Sequence, residues 1–178
     1  PAIAIGRLSA VTEKDVYDYL EKIEAYESNP REEWMKNVLH FAGGLNSTQS
    51  NDLRSKLDIY AGIVEDSAFG GYVRTLSKTV TDPIQIALSN QLQQIIGSGV
   101  SLKTFYAHAG AVTFDISTDD PSVWNNVNRY PLIIGNSCYV GDAHQDTRTA
   151  VENFVLQKHK GAIGFIGSAS VNFIENLY

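Results

Sequence analysis

Short apolar runs closed by glycine or polar residues alternate along this 178-residue chain with segments of helical periodicity, and that alternation limits the possible folds more than any other feature. "NVLHFAGG", "GGYVRTLSKTV", "VSLKTFYAHAG", "YPLIIGNSCYVGD" and "GAIGFIGSAS" read as strands, and the opening "PAIAIGRLSA", with its small and β-branched residues before a Gly-Arg break, reads as one more. A run such as "VLHFA" has no polar alternation, as a strand buried on both faces requires. Between the strands lie helices with explicit start and stop signals. Thr12 with Asp15 three residues on forms a capping-box pair ahead of Val16, Tyr19, Leu20, Ile23 and Tyr26, and Pro30 ends that helix. Asn46 and Ser47 cap a second, whose apolar face is Leu53, Leu57, Tyr60, Ala61 and Val64. Asp82 and Pro83 open a third that Gly97 and Gly99 stop. Val151, Phe154 and Val155 mark a fourth in "DTRTAVENFVLQKHK". The expected fold is therefore α/β: a three-layer sandwich with a mostly parallel sheet, right-handed crossovers and helices on both faces. With no internal repeat, low-complexity stretch or linker, residues 1–178 are expected to form one domain.

Composition narrows the function classes. Charged residues are 19% and hydrophobic residues 43% of the chain, as in a folded globular protein. The net charge is -6, and the 14 Lys and Arg gather into no stripe that would track phosphates, so nucleic acid is not the expected partner. No run approaches the roughly 20 apolar residues that span a bilayer. The chain starts at Pro1 without an initiator Met or signal peptide, and we expect an excised piece of a longer protein.

Active groups in sheets of this kind gather beyond the carboxyl ends of the strands. His108 leaves the strand "VSLKTFY", and Cys138, the only cysteine, leaves the strand "PLIIGNS". If those strands are neighbours, both side chains emerge at one edge, as a Cys-His dyad requires. The thiolate would be the nucleophile, and the imidazole would stabilise it and protonate a leaving amine. The backbone N–H groups of Ala109 and Gly110 in "HAGA" could join that of Cys138 in holding an oxyanion. Spacing alone leaves a second reading open, because a lone cysteine at a strand end is commonly a small, inert core residue.

"LKTFYAHAGAVTFD", "YPLIIGNSCYVGD" and "KGAIGFIGSAS", preceded by "IAIGRLSAVTEKDVYDYLEKIEAYE" and "VLHFAGG", together resemble the gingipain-type family of cysteine peptidases, whose fold is similar to that of caspases. The resemblance covers nearly the whole chain. It implies a caspase-like domain, cysteine endopeptidase activity on polypeptides, and His108 and Cys138 as the catalytic pair, with Gly141 and Asp142 behind the nucleophile. It also implies a secreted or cell-surface location and a parent protein with an N-terminal half that this chain lacks. Two features depart from the family pattern. Ala107 and Ala109 flank the histidine where glycine is usual, and Gln49 in "LNSTQSND" stands near the family's carboxylate position, with Asp52 close by. These departures sustain an alternative, a non-catalytic relative used as a binding or secretion-linked scaffold.

Trp124, in the loop between the dyad strands, and Asn136, two residues before the cysteine, are candidate substrate-lining residues; for Trp124 the alternative is packing onto the domain. No cofactor is expected. His40, His144 and His159 lack zinc-site spacing. Asp115, Asp119 and Asp120 in "FDISTDDPSVWNN" are oxygen ligands suited to calcium, although a solvated turn between strands is the preferred reading.

Overall fold

A computed structural model describes residues 3, 5–77, 86–108, 120–142 and 148–172. Its elements, in chain order, are α1 (Glu13–Glu27), β1 (Asn37–Ala42), α2 (Ser47–Glu65), β2 (Tyr72–Ser77), α3 (Ile86–Ser98), β3 (Leu102–Tyr106), β4 (Leu132–Asn136), α4 (Ala150–Leu156) and β5 (Gly164–Gly167). Single 3-10 turns span Glu33–Lys36 and Pro121–Val123. The five strands form one sheet in the order β2-β1-β3-β4-β5, with every pair parallel.

Burial along each strand follows its place in that order. From Val38 to Ala42 every residue of β1 is buried, and so is β3 from Lys103 to Tyr106, because both strands lie inside the sheet under helices. The edge strand β2 alternates between exposed and half-buried positions over most of its length. Side chains alternate faces along a strand. On one face Leu39, Phe41, Phe105 and Ile133 pack with Leu92, Ile95 and Ile96 of α3 and Phe154 of α4, and the Phe41 and Phe105 rings stack 5.5 Å apart. On the other face Ala42 and Tyr106 pack with Leu53 and Leu57 of α2. Helices on both faces of a parallel sheet give the expected three-layer α/β fold.

Helix α1 starts as its sequence predicts. The Thr12 side chain accepts from the Asp15 N–H, and Asp15 Oδ2 accepts in return from the Thr12 N–H at 3.0 Å. Its predicted apolar face is only partly turned inward: Tyr19, Ile23 and Tyr26 are half-buried. Val16 and Leu20 are 40% and 47% exposed, whereas Lys22 is buried. Ion pairs from Arg148 to Asp15 (2.8 Å) and from Lys158 to Asp18 (3.1 Å) join α1 to the residues on either side of α4. Lys22 Nζ then donates to the carbonyls of Val155 (2.8 Å) and Ala162 (3.1 Å), 5.3 Å from the centre of the Tyr130 ring.

The opening segment contributes no strand among the described residues. Residues 5–11 have no regular structure and add nothing to the sheet. Ile5 is 83% exposed. The start of the third helix at Asp82 and Pro83 lies outside the described residues.

Candidate active site

The site begins with strand register. In the parallel pairing of β3 with β4, Tyr106 lies opposite Asn136, so the two strands end level with each other. His108 and Cys138 each follow two residues later and continue the face that carries Tyr106 and Asn136. Both line one small cavity of about 50 Å³, together with Gln49 and Leu53 of α2, Asn136 and Asn172. That volume is of the order of one or two water molecules.

The histidine is approached from α2. After β1 the chain turns at Gly44, whose φ of 139° and whose Cβ position, only 2.8 Å from the Ser50 nitrogen, admit no side chain. The loop can therefore close over the start of α2. Asn46 caps that helix by accepting from the Gln49 N–H at 2.9 Å. The Gln49 side chain turns back, and its Oε1 accepts from the Leu45 N–H at 2.8 Å. The same oxygen is 3.1 Å from His108 Nε2.

The cysteine sits in a sharp turn tied to the end of β5. Ser137 Oγ donates to the Ala107 carbonyl, which joins the two strand exits just before His108 and Cys138. Tyr139 has a φ of 53°, a left-handed conformation that costs a non-glycine residue roughly 1–2 kcal/mol. The turn is held by Tyr139 N–H donating to Ser170 O (2.9 Å) and Gly141 N–H donating to Ser168 O (2.8 Å). Cys138 Sγ, half-buried, lies 3.4 Å from both the carbonyl oxygen and the nitrogen of Asn172. A wider groove of about 410 Å³ borders this turn at Gly141 and runs between residues 5–9, α4 and β5.

Other sequence candidates fall elsewhere. Trp124 does not line the cavity: it is 1% exposed and sits in the core on the α3 and α4 face, with its ring 4.9 Å from that of Phe154 and 5.0 Å from Lys103 Nζ. A large apolar ring gains more by filling that core than by facing solvent. Asn136 does line the cavity. Ala109, Gly110, Asp115, Asp119 and His144 lie outside the described residues. Asp120 accepts from the Ser122 hydroxyl and from the Ser122 N–H at 2.9 Å, which together lower its carboxyl pKa, and so caps the turn at Pro121–Val123. His40 is buried between β1 and α2, where desolvation lowers its pKa; His159 lies 3.8 Å from Glu21 at the surface. Among the described residues no group of three or more His, Cys, Asp or Glu side chains is placed to hold a metal ion, and no helix is long and apolar enough to cross a membrane.

A histidine and a cysteine at adjacent, level strand ends invite comparison with known peptidases. The model of Peptidase family C25 matches residues 1–177. The chain belongs to peptidase family C25. Its fold is similar to that of a structure described only as a protease, with a TM-score of 0.72 and 21% identity over 94% of this chain and 36% of that one. It is also similar to the Arg-specific cysteine proteinase gingipain R (RGPB), with a TM-score of 0.69 and 19% identity over 95% and 40% of the two chains. In the complex of Porphyromonas gingivalis RgpB pro- and mature domains, the TM-score is 0.69 and the identity 18% over 95% and 41%. This C25 chain thus spans about two fifths of the length of these structures. No curated protein matches it.

Sequence reasoning missed the contact of Asn172 with the thiol. The signal was the strand order: once β4 and β5 are parallel neighbours, the turn after β5 must run beside the turn after β4.

Proposed function

We propose that this domain carries the catalytic dyad of a cysteine endopeptidase, with Cys138 as nucleophile and His108 as general acid and base. One observation carries the reading: the two side chains leave level ends of adjacent strands and line the same cavity. In the proposed cycle the Cys138 thiol gives its proton to His108, and the sulfur attacks the peptide carbonyl carbon. The tetrahedral oxyanion is held by backbone N–H groups at Cys138, Ala109 and Gly110. His108 then protonates the departing amine as the C–N bond breaks, leaving an acyl-enzyme. A water molecule gives a proton to His108 and attacks the thioester, which releases the acid and the thiol. Asn136 lines the approach of the substrate. The family points to a secreted or surface peptidase, with the N-terminal half of a parent protein completing the substrate groove.

Cys138→Ala is expected to leave the unfolding midpoint within about 1 kcal/mol of the native protein and to abolish cleavage of an unfolded protein substrate. Cleavage by that variant at the native rate would rule the dyad out.

One observation favours the alternative of a non-catalytic scaffold. Both backbone polar groups of Asn172 lie 3.4 Å from Cys138 Sγ and occupy the thiol. Iodoacetamide separates the two readings. A catalytic thiol alkylates well below pH 8, and one locked in a scaffold reacts only when the protein unfolds.

A further inference from the structure

We infer that Gln49 is a positioning residue that holds the His108 imidazole as its Nε2–H tautomer, leaving Nδ1 to receive a proton; the inference rests on the dyad reading above. Amide oxygen and nitrogen are interchangeable in shape, so a glutamine contact by itself does not say which atom faces a histidine. Here a second partner decides. The Leu45 N–H points at the same Gln49 atom from 2.8 Å, and an N–H can donate only to an acceptor. That atom is therefore the carbonyl oxygen, Oε1. It has two lone pairs, and the second faces His108 Nε2 at 3.1 Å. Two bare acceptors would repel at that distance, so the hydrogen between them belongs to Nε2. In a neutral imidazole the other ring nitrogen, Nδ1, then keeps its lone pair.

The arrangement is rigid on the glutamine side. Gln49 is fixed by the Asn46 cap at its backbone and by Leu45 at its side chain, in the first turn of a helix whose approach Gly44 allows. The amide differs from a carboxylate in one respect. It accepts the Nε2 hydrogen and selects the tautomer, yet brings no negative charge to favour the imidazolium. Among the described residues Tyr106 and Cys138 are the other titratable groups lining this cavity, and on α2 Asp52 and Lys56 lie 3.7 Å from each other as an ion pair. Gln49→Glu should preserve the tautomer, because a carboxylate oxygen accepts from the same two N–H groups.

The test uses the full-length protein with histidine selectively 15N-labelled, and long-range proton-nitrogen spectra that report the tautomer directly. The His108 signals are assigned by their loss in His108→Asn. We expect the Nε2–H form in the native protein and in Gln49→Glu, and a mixture of tautomers in Gln49→Leu. An Nδ1–H form in the native protein or in Gln49→Glu, or an unmixed Nε2–H form in Gln49→Leu, would overturn the inference. Should Gln49→Leu fail to fold for want of the Leu45 bond, the measurements on the native protein and on Gln49→Glu, both of which keep that bond, still decide it. The spectra need no turnover. An Nε2–H tautomer in a protein that cleaves nothing supports the positioning role and refutes the hydrolytic reading; an Nδ1–H tautomer in an active protein refutes the positioning role alone.

Discussion

Replacing Gly141 by alanine tests whether the turn that carries Cys138 is seated against β5. The backbone of Gly141 needs no left-handed φ, so conformational freedom is not the reason for glycine there. Space is. A Cβ at this position would stand 2.3 Å from the Gly167 oxygen and 2.6 Å from its carbonyl carbon. Both are backbone atoms, and no rotamer change can move them aside. The turn would have to retreat by roughly an ångström to reach ordinary contact distance, and the 2.8 Å bond from Gly141 N–H to Ser168 O would be lost. Overpacking costs about 1–3 kcal/mol and the lost hydrogen bond about 0.5–1.5 kcal/mol. The smaller freedom of alanine in the unfolded chain offsets about 0.4–1 kcal/mol.

A net destabilisation of about 0.5–4 kcal/mol follows from these terms, or a fall in Tm of about 2–4 °C per kcal/mol for a chain of this size. Because Cys138 lies three residues away on the same turn, displacement on this scale is expected to slow peptide cleavage by about 100-fold and to change the alkylation rate of the thiol. Urea unfolding and the iodoacetamide rate, measured on one preparation, read both effects. Gly62→Ala provides the internal comparison: it lies within α2 and a Cβ there meets nothing within 4 Å, so this variant should gain up to about 1 kcal/mol from helix propensity. An unchanged midpoint and an unchanged thiol rate in Gly141→Ala would refute the seating of the turn and, with it, the fixed geometry assigned to Cys138.

Two further predictions concern α1. Burial pulls the Lys22 ammonium from 10.5 down to about 7, so between those values the unfolded chain binds more protons and stability rises with pH. Urea midpoints from pH 7 to 10 should show that rise in the native protein and lose it in Lys22→Met; a flat native profile would contradict it. Asp15 is shifted in the same direction by a different cause. Hydrogen bonds from the Val11 and Thr12 N–H groups, reinforced by Arg148, lower its pKa from 3.8 to about 2. Its contribution is present above pH 4 and lost as pH falls through 2. Asp15→Asn should cost about 0.5–2 kcal/mol at pH 7, as lost caps do, and its deficit against the native protein should vanish near pH 2.

The parts of this fold that could be read from sequence are those written in short-range pattern. The apolar run at β1, the capping pair Thr12 and Asp15, the Asn46 cap and the face Leu53-Leu57-Tyr60 each depend on neighbours within a few residues. The opening "IAIGRL" has strand composition, but a strand exists only where a ladder receives it, and β5 carries no such partner among the described residues. The inward face of α1 was legible only in part for a related reason. Val16 and Leu20 have the spacing of core residues, yet the helix packs through Lys22, whose partners Val155 and Ala162 lie far away in sequence.

Lys22 and Lys103 carry the same point further. Hydropathy would put both outside, yet each is buried in a cage that only the tertiary fold assembles: carbonyls of Val155 and Ala162 with the Tyr130 ring for one, the rings of Phe105, Trp124 and Phe154 for the other. The candidate site divides along the same line. His108 and Cys138 were legible because a strand end is a local pattern, whereas Gln49 and Asn172 reach them only through the order β1-β3-β4-β5. The chemistry-bearing residues are thus set by local sequence and their partners by topology. A substitution at Gln49 or Asn172 should therefore change how the dyad behaves while leaving every local structural signal in the sequence intact.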